Sequence, residues 1–256
     1  MEIIFLGTGG GRLNLIDQRR ATAGFRVHFE NGLKMHAEPG PGALIKCREL
    51  GCDPIDTQIL LVSHVHIDHS NDTSLMIEAM TEYTKKRRGI LLGSSNVLIG
   101  DAEFDRCVSR YHQSLLERCV VLRPGTVFGM DGIEIIATET RHDEWDAVGM
   151  IIRSEKVKVG YTGDTEYFPA LCKIFSGCDL LIINNLQPNG RAIPGHNDSA
   201  GSIKILKGAK PKQSVLTHMG TELTREVAER EAAMIERESG VKTVAAYDGM
   251  RISLGE

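Results

Sequence analysis

Strands and helices alternate through both halves of this sequence, and the alternation predicts an α/β layered protein. Two observations carry that reading. Short apolar runs recur along the chain, among them Ile59 to Val62, Ile133 to Thr138 and Asp179 to Ile183, and stretches with helical periodicity lie between them. Several of these runs also end abruptly in polar, histidine-bearing clusters, at the strand ends where open α/β sheets build their sites. No linker, low-complexity tract or tandem repeat interrupts residues 1–256, so the expectation is a single domain with one substantial core.

In order, Ile3 to Leu6 reads as a strand, followed at once by Gly7-Thr8-Gly9-Gly10-Gly11. No G-x-G-x-x-G opens a helix there and Arg12 to Asp17 does not look helical, so the glycines serve close backbone approach, to a ligand or a neighbouring strand. Phe25 to Phe29 and Leu33 to Ala37 form a hairpin around Asn31-Gly32, with His28 a surface or cross-strand residue and His36 either packing, the favoured reading, or facing the same crevice as Glu38. Glu38-Pro39-Gly40 then turns sharply into a helix over Ala43 to Leu50. A carboxylate at that strand end can accept a hydrogen bond from a metal-ligating histidine and fix its tautomer.

Beyond Ile59 to Val62, a helix is expected over Thr73 to Lys86, with Leu75, Met76, Ala79, Met80 and Tyr83 on one face. Lys85 to Arg88 would cap its C-terminal end, or else contact phosphate. Ile90 to Leu92 reads as a strand and Phe104 to Leu116 as a helix bearing a surface His112. Val120 to Leu122, Val127 to Met130 and Ile133 to Thr138 suggest a meander, and Ala147 to Ile152 with Val157 to Tyr161 a further hairpin. A helix is expected from Thr165 onward, a strand over Asp179 to Ile183, and a helix opened by His196 to Ser199. The strand ending in Val215-Leu216-Thr217, a charged helix over Glu222 to Glu238, and two strands near Val244 and Ile252 complete the chain.

Composition excludes several classes. A formal charge of −4 and a pI near 6.2 give no broad electrostatic footprint for nucleic acid. Six cysteines without a C-x-x-C pair resemble neither a zinc knuckle nor a disulfide scaffold. With no signal-peptide pattern and no apolar run near 18 residues, a cytoplasmic protein with reduced thiols is expected, without a membrane partner.

The sharpest signal is Ser63-His64-Val65-His66-Ile67-Asp68-His69, which crowds three imidazoles and a carboxylate behind an apolar strand. These donors suit zinc, iron or manganese. Adjacent side chains diverge, so two metals a few ångströms apart fit them better than one. His142 follows a strand directly, Asp164 stands at another strand end in Gly163-Asp164-Thr165, and His218 repeats the pattern in Leu216-Thr217-His218-Met219-Gly220.

Over essentially its full length the chain resembles the metallo-β-lactamase superfamily. His64-Val65-His66-Ile67-Asp68-His69 matches the family's H-x-H-x-D-H motif, and His142, Asp164 and His218 stand in the order of its later motifs. The resemblance implies a four-layer αββα sandwich with a dinuclear centre at one edge. It assigns His64, His66 and His142 to one metal, Asp68, His69 and His218 to the other, and Asp164 to both. Within the family, Leu6-Gly7-Thr8-Gly9-Gly10 and the additional His196 resemble the phosphodiesterase branch of ribonuclease Z and the cyclic phosphodiesterase of phosphonate breakdown. Ala246-Tyr247-Asp248-Gly249-Met250 resembles the latter. Glu38-Pro39-Gly40 departs from the family's Asp-Pro-Gly. The glycine- and base-rich arm of ribonuclease Z has no counterpart here, nor has the cysteine cluster of the phosphonate enzyme.

The implied chemistry is phosphodiester hydrolysis. Two divalent ions, zinc or else manganese or iron, keep a net positive charge after Asp68, Asp164 and a bridging hydroxide, and that suits a diester anion. Asp68 and His196 are the expected catalytic residues, His196 protonating the leaving oxygen because it lies outside the metal set. The expected substrate is a small or cyclic nucleotide-type phosphodiester. The alternatives are an RNA or tRNA 3′-processing nuclease, hydrolysis of a carboxylic ester or lactam, or a non-catalytic metal-binding member, and a homodimer is compatible with each.

Overall fold

The computed structural model describes residues 1–255. Two seven-stranded sheets face each other. The first holds β1 (Glu2–Phe5), β2 (Phe25–His28), β3 (Lys34–Ala37), β4 (Ile59–Val62), β5 (Ile90–Gly93) and β6 (Arg118–Val121). The second holds β7 (Val127–Met130), β8 (Ile133–Thr138), β9 (Gly149–Arg153), β10 (Lys158–Tyr161), β11 (Leu180–Asn184), β12 (Gln213–Thr217) and β13 (Lys242–Ala245). The last strand, β14 (Arg251–Ser253), returns to the open edge of the first sheet beside β1. The helices are α1 (Gly11–Asp17), α2 (Ala43–Glu49), α3 (Ile67–Ser70), α4 (Thr73–Met80), α5 (Ser95–Leu98), α6 (Arg110–Ser114), α7 (Ala170–Ile174), α8 (Ser199–Ala209) and α9 (Arg225–Ser239).

Strand alternation explains the layers. Ile3, Phe5, Ile59 and Leu61 point between the sheets, where they meet Ile135, Met150, Ile152 and Ile182 in one shared core. Their neighbours Ile4, Leu60 and Val62 point outward onto Met76, Ile77 and Met80 of α4. On the other side, Ile151, Leu181 and Ile183 meet Phe168, Leu171 and Phe175 around α7 and Ile205 and Leu206 of α8. The expected αββα sandwich is thus the observed fold. Strands β3, β4 and β5 run parallel, as do β10, β11 and β12, so each sheet has a group of carboxyl ends on which to build.

Several local expectations are corrected. Arg12 to Asp17 is helical, as α1, although Leu13 and Ile16 stay exposed on it; tertiary anchoring at Gly11 replaces an amphipathic face. The helix expected to reach Lys86 stops at Met80, because Glu82, Tyr83 and Thr84 all adopt positive φ, and its buried residues are Thr73, Met76, Ile77 and Met80. The basic run therefore caps no helix: Lys86 pairs with Glu82 at 2.7 Å and Arg87 Nε donates to the Leu116 carbonyl at 3.0 Å. Helix α6 covers only Arg110–Ser114 of the span expected from Phe104, and the short α5 was not anticipated. The meander fails at its first strand, since β6 edges one sheet and β7 the other. Behind Asp164 no helix starts until Ala170.

Candidate metal centre

The site residues sit where strands end. Glu38 follows β3, His64 to His69 follow β4, Asp164 follows β10, and His218 follows β12; His142 and His196 arrive on the loops after β8 and β11. Glu38 (φ 61°) and His218 (φ 56°) both adopt left-handed backbone conformations, which L residues hold only where their surroundings over-determine them. Gly10 packs flat on the His218 ring, and a Cβ there would lie 2.3 Å from its Cγ. The glycine-rich turn serves close approach, as its sequence suggests.

Two groups of nitrogens converge. His64 Nε2 lies 3.0 Å from His66 Nδ1, which lies 3.2 Å from His142 Nε2. His69 Nε2 lies 3.0 Å from His218 Nε2, and Asp68 Oδ2 lies 3.2 Å from the latter. Between the groups stands one oxygen. Asp164 Oδ2 is 3.3 Å from His218 Nε2, 3.4 Å from His69 Nε2, 3.5 Å from His196 Nδ1 and 4.0 Å from His64 Nε2. Its partner Oδ1 accepts from Asn184 Nδ2 at 2.6 Å, which fixes the carboxylate plane.

The outward nitrogens explain why the inward ones are free. His69 Nδ1–H donates to Glu38 Oε2, while Ser63 Oγ donates to the same oxygen at 2.7 Å and accepts from His64 Nδ1–H at 2.9 Å. His142 Nδ1–H donates to the Gly195 carbonyl at 2.9 Å. With Nδ1 so engaged, each of these rings turns Nε2 toward the centre, the nitrogen at which a bound cation would take the place of a proton. Asp68 Oδ2 also accepts from the Gly11 amide at 2.8 Å, so the start of α1 steadies it.

Electrostatics matches this donor set. Burial pushes Asp164 up, but His218 and His69 outweigh it and hold the carboxylate well below its ordinary range. Burial likewise raises Asp68, and His69 then His218 bring it down. For His69 burial favours the neutral ring, yet Asp164, Asp68 and Glu38 raise its pKa well above the usual histidine value. His64 goes the other way, lowered by burial and by His69. Burial pushes His196 down to about 4, against the pull of Asp164. Packed anionic carboxylates and lone pairs, with no lysine or arginine in the converging groups, fit divalent cations by their chemistry.

Every residue expected at the centre is brought to it. His196 is closer than a distant proton donor: its ring lies 4.8 Å from that of His142, and with His142 and Asp164 it forms a further converging group. Sequence reasoning missed Ser63 and Asn184. Asn184 carried the signal already used elsewhere, a polar residue at the end of an apolar strand, and Ser63 adjoins His64.

Layered sheets edged by convergent histidines and carboxylates define an αββα protein with a candidate metal centre. The family described as "Beta-lactamase superfamily domain" matches residues 37–219, and the chain belongs to this metallo-β-lactamase superfamily of metal-dependent hydrolases. An uncharacterized protein of Methanocaldococcus jannaschii is 39% identical over 256 residues, covering 99% of this chain and 95% of that protein. Ribonuclease Z of Metallosphaera sedula is 24% identical over 262 residues, covering 86% of this chain and 88% of its own. Among solved structures, the metallo-β-lactamase fold protein YhfI of Bacillus subtilis superposes with a TM-score of 0.81 at 17% identity, over 98% of each chain. A diphosphatase of the PhnP family superposes with a TM-score of 0.72 at 17% identity, covering 99% of this chain and 98% of the other. Among the described residues no helix is long and apolar enough to cross a membrane.

Proposed function

We propose that this protein is a dinuclear-metal phosphodiesterase acting on a small or cyclic nucleotide-type diester. The observation that carries the reading is Asp164 Oδ2, one buried oxygen set among the ring nitrogens of four histidines. His64, His66 and His142 would hold one cation, Asp68, His69 and His218 the other, with Asp164 shared and zinc the first choice for histidine-rich donors. Bound divalent cations supply Lewis-acid polarisation of a phosphoryl oxygen and acidify water toward neutrality.

The chain's own residues do the rest. Glu38, through His69 directly and through Ser63 to His64, orients one ring of each group. Asn184 and the Gly11 amide hold the two carboxylates at fixed angles. His196 is part-exposed at the mouth, where it can hold a proton at a ring nitrogen and pass it to the leaving oxygen. Burial favours its neutral ring, and an arriving diester anion raises its proton affinity. A cytoplasmic setting belongs to the same proposal, with all six cysteines free.

A second reading, RNA 3′-end cleavage, is favoured by the similarity to ribonuclease Z. One experiment separates the two. Metal content of the purified protein is measured alongside hydrolysis of cyclic nucleotides, aryl phosphodiesters, monoesters, carboxylic esters and a precursor tRNA, with and without chelator. Chelator-sensitive turnover of small diesters supports the proposal. Cleavage confined to the precursor tRNA transfers it to the second reading, and no hydrolysis with full metal occupancy refutes both.

A further inference from the structure

The centre is polar, and exposed apolar side chains stand among the charged ones on the segments around it. Among the described residues twelve large hydrophobic side chains are exposed; three of them lie on the segments that deliver the site residues and two on α1 beside them. Ile67, 58% exposed, sits between His66 and Asp68. Trp145, 69% exposed, comes three residues after His142, and Ile193, 40% exposed, accepts at its carbonyl the His196 amide at 3.2 Å. Leu13 and Ile16, 72% and 80% exposed, share one face of α1, whose first amide holds Asp68 and which packs beside α3.

Trp145 is not a loose loop residue. Its Nε1–H donates to Asp101 at 3.1 Å, while Asn96 donates from its side chain to Glu144 at 2.7 Å and from its backbone to Asp146 at 2.5 Å. The flanking residues are therefore tied down on both sides, and the indole is held by its edge with its surface in solvent. Exposed apolar surface concentrated at a polar centre marks a binding surface. Exposed arginines stand on the same segments: Arg12 on α1, Arg191 two residues before Ile193 and 4.0 Å from Glu222, and Arg141 with its guanidinium 4.7 Å from the Phe168 ring.

We infer that the substrate carries an apolar or aromatic body on one half of the diester, and that this body lies against Ile67, Ile193 and the face of Trp145. The inference rests on the phosphodiesterase reading and narrows its substrate class. Trp145 is the only tryptophan in the chain, so its fluorescence reports the rim directly.

The test uses alkyl p-nitrophenyl phosphates from methyl to hexyl, which share one leaving group and differ only in apolar reach. In the metal-loaded parent, kcat/KM rises by up to about fourfold for each methylene that reaches the rim. Trp145→Ala flattens that rise. Tyr83→Ala, on the separate apolar face between α2 and α4, keeps it. A flat series in the parent overturns the inference, as does a concentration-dependent dimer in which Trp145 emission shifts without ligand, because a second copy then covers the rim. Binding separates this failure from failure of the parent reading. Hexyl methyl phosphate shifting Trp145 emission at far lower concentration than dimethyl phosphate supports the apolar rim even if neither ester is hydrolysed. Equal shifts refute it even if both are.

Discussion

His36 and His69 are buried almost equally, at 0% and 2% exposure, yet their surroundings push them in opposite directions. His36 lies on β3, donating Nε2–H to the Ala23 carbonyl at 2.9 Å, with the Cys47 thiol and the buried Arg26 guanidinium near by. Burial and Arg26 push its pKa down to about 3, and the ring is a neutral core residue. His69 sits past the end of β4 among Asp164, Asp68 and Glu38, which overcome the same burial and draw positive charge toward it. Burial alone excludes charge; convergent carboxylates invite it. At the candidate centre His69 is thus set apart by the carboxylates around it rather than by its depth.

The most severe way to break this contrast is to remove the shared carboxylate. Asp164→Ala should leave less than one ion per chain by metal analysis and abolish hydrolysis, since the oxygen between the two groups is gone. Full occupancy in that variant would contradict its bridging role. His196→Ala tests the mouth: both ions should stay bound while diester turnover falls by ~10²–10⁴-fold, the scale of lost acid–base help. Equal turnover in variant and parent removes His196 from the chemistry. Glu38→Gln is milder. It keeps the shape and one acceptor oxygen for Ser63 Oγ and His69, but removes the negative charge and turns an amide NH2 toward the Ser63 backbone N–H that donates to Oε1 at 2.8 Å, so chelator competition should show metal affinity weaker by ~10–100-fold. Unchanged affinity would reduce Glu38 to a packing residue.

The contrast also explains what could be read without coordinates. The His64–His69 run, Asp164 and His218 were legible because each combines a short apolar strand with a polar end, a local pattern that the parallel strands β4, β10 and β12 turn into one edge. The packing role of His36 was legible because it lies within a strand. Ser63 was not, because its importance rests on reaching Glu38, 25 residues away, and His64 together. The overlong helices were read from periodicity, which continues past Met80 although the backbone reverses at Glu82 to Thr84. The failed meander reflects a choice of sheet for β6 that only tertiary packing makes.

The last expectation concerns His36 itself and reads the core half of the comparison. Its folded pKa of about 3 lies below the ~6.5 of an unfolded histidine, so below neutrality the unfolded chain binds a proton that the folded chain refuses. Stability that is full above the unfolded value is therefore lost as pH falls from ~6.5 toward 3, by up to ~1.4 kcal/mol per pH unit from this group. His36→Gln keeps a donor for the Ala23 carbonyl and cannot take up that proton. Urea unfolding of metal-free parent and variant between pH 7 and 4 should then give curves whose difference closes on acidification, the parent losing more. Parallel curves would mean that His36 is protonated in the fold after all, and that burial beside Arg26 does not separate it from the histidines of the centre.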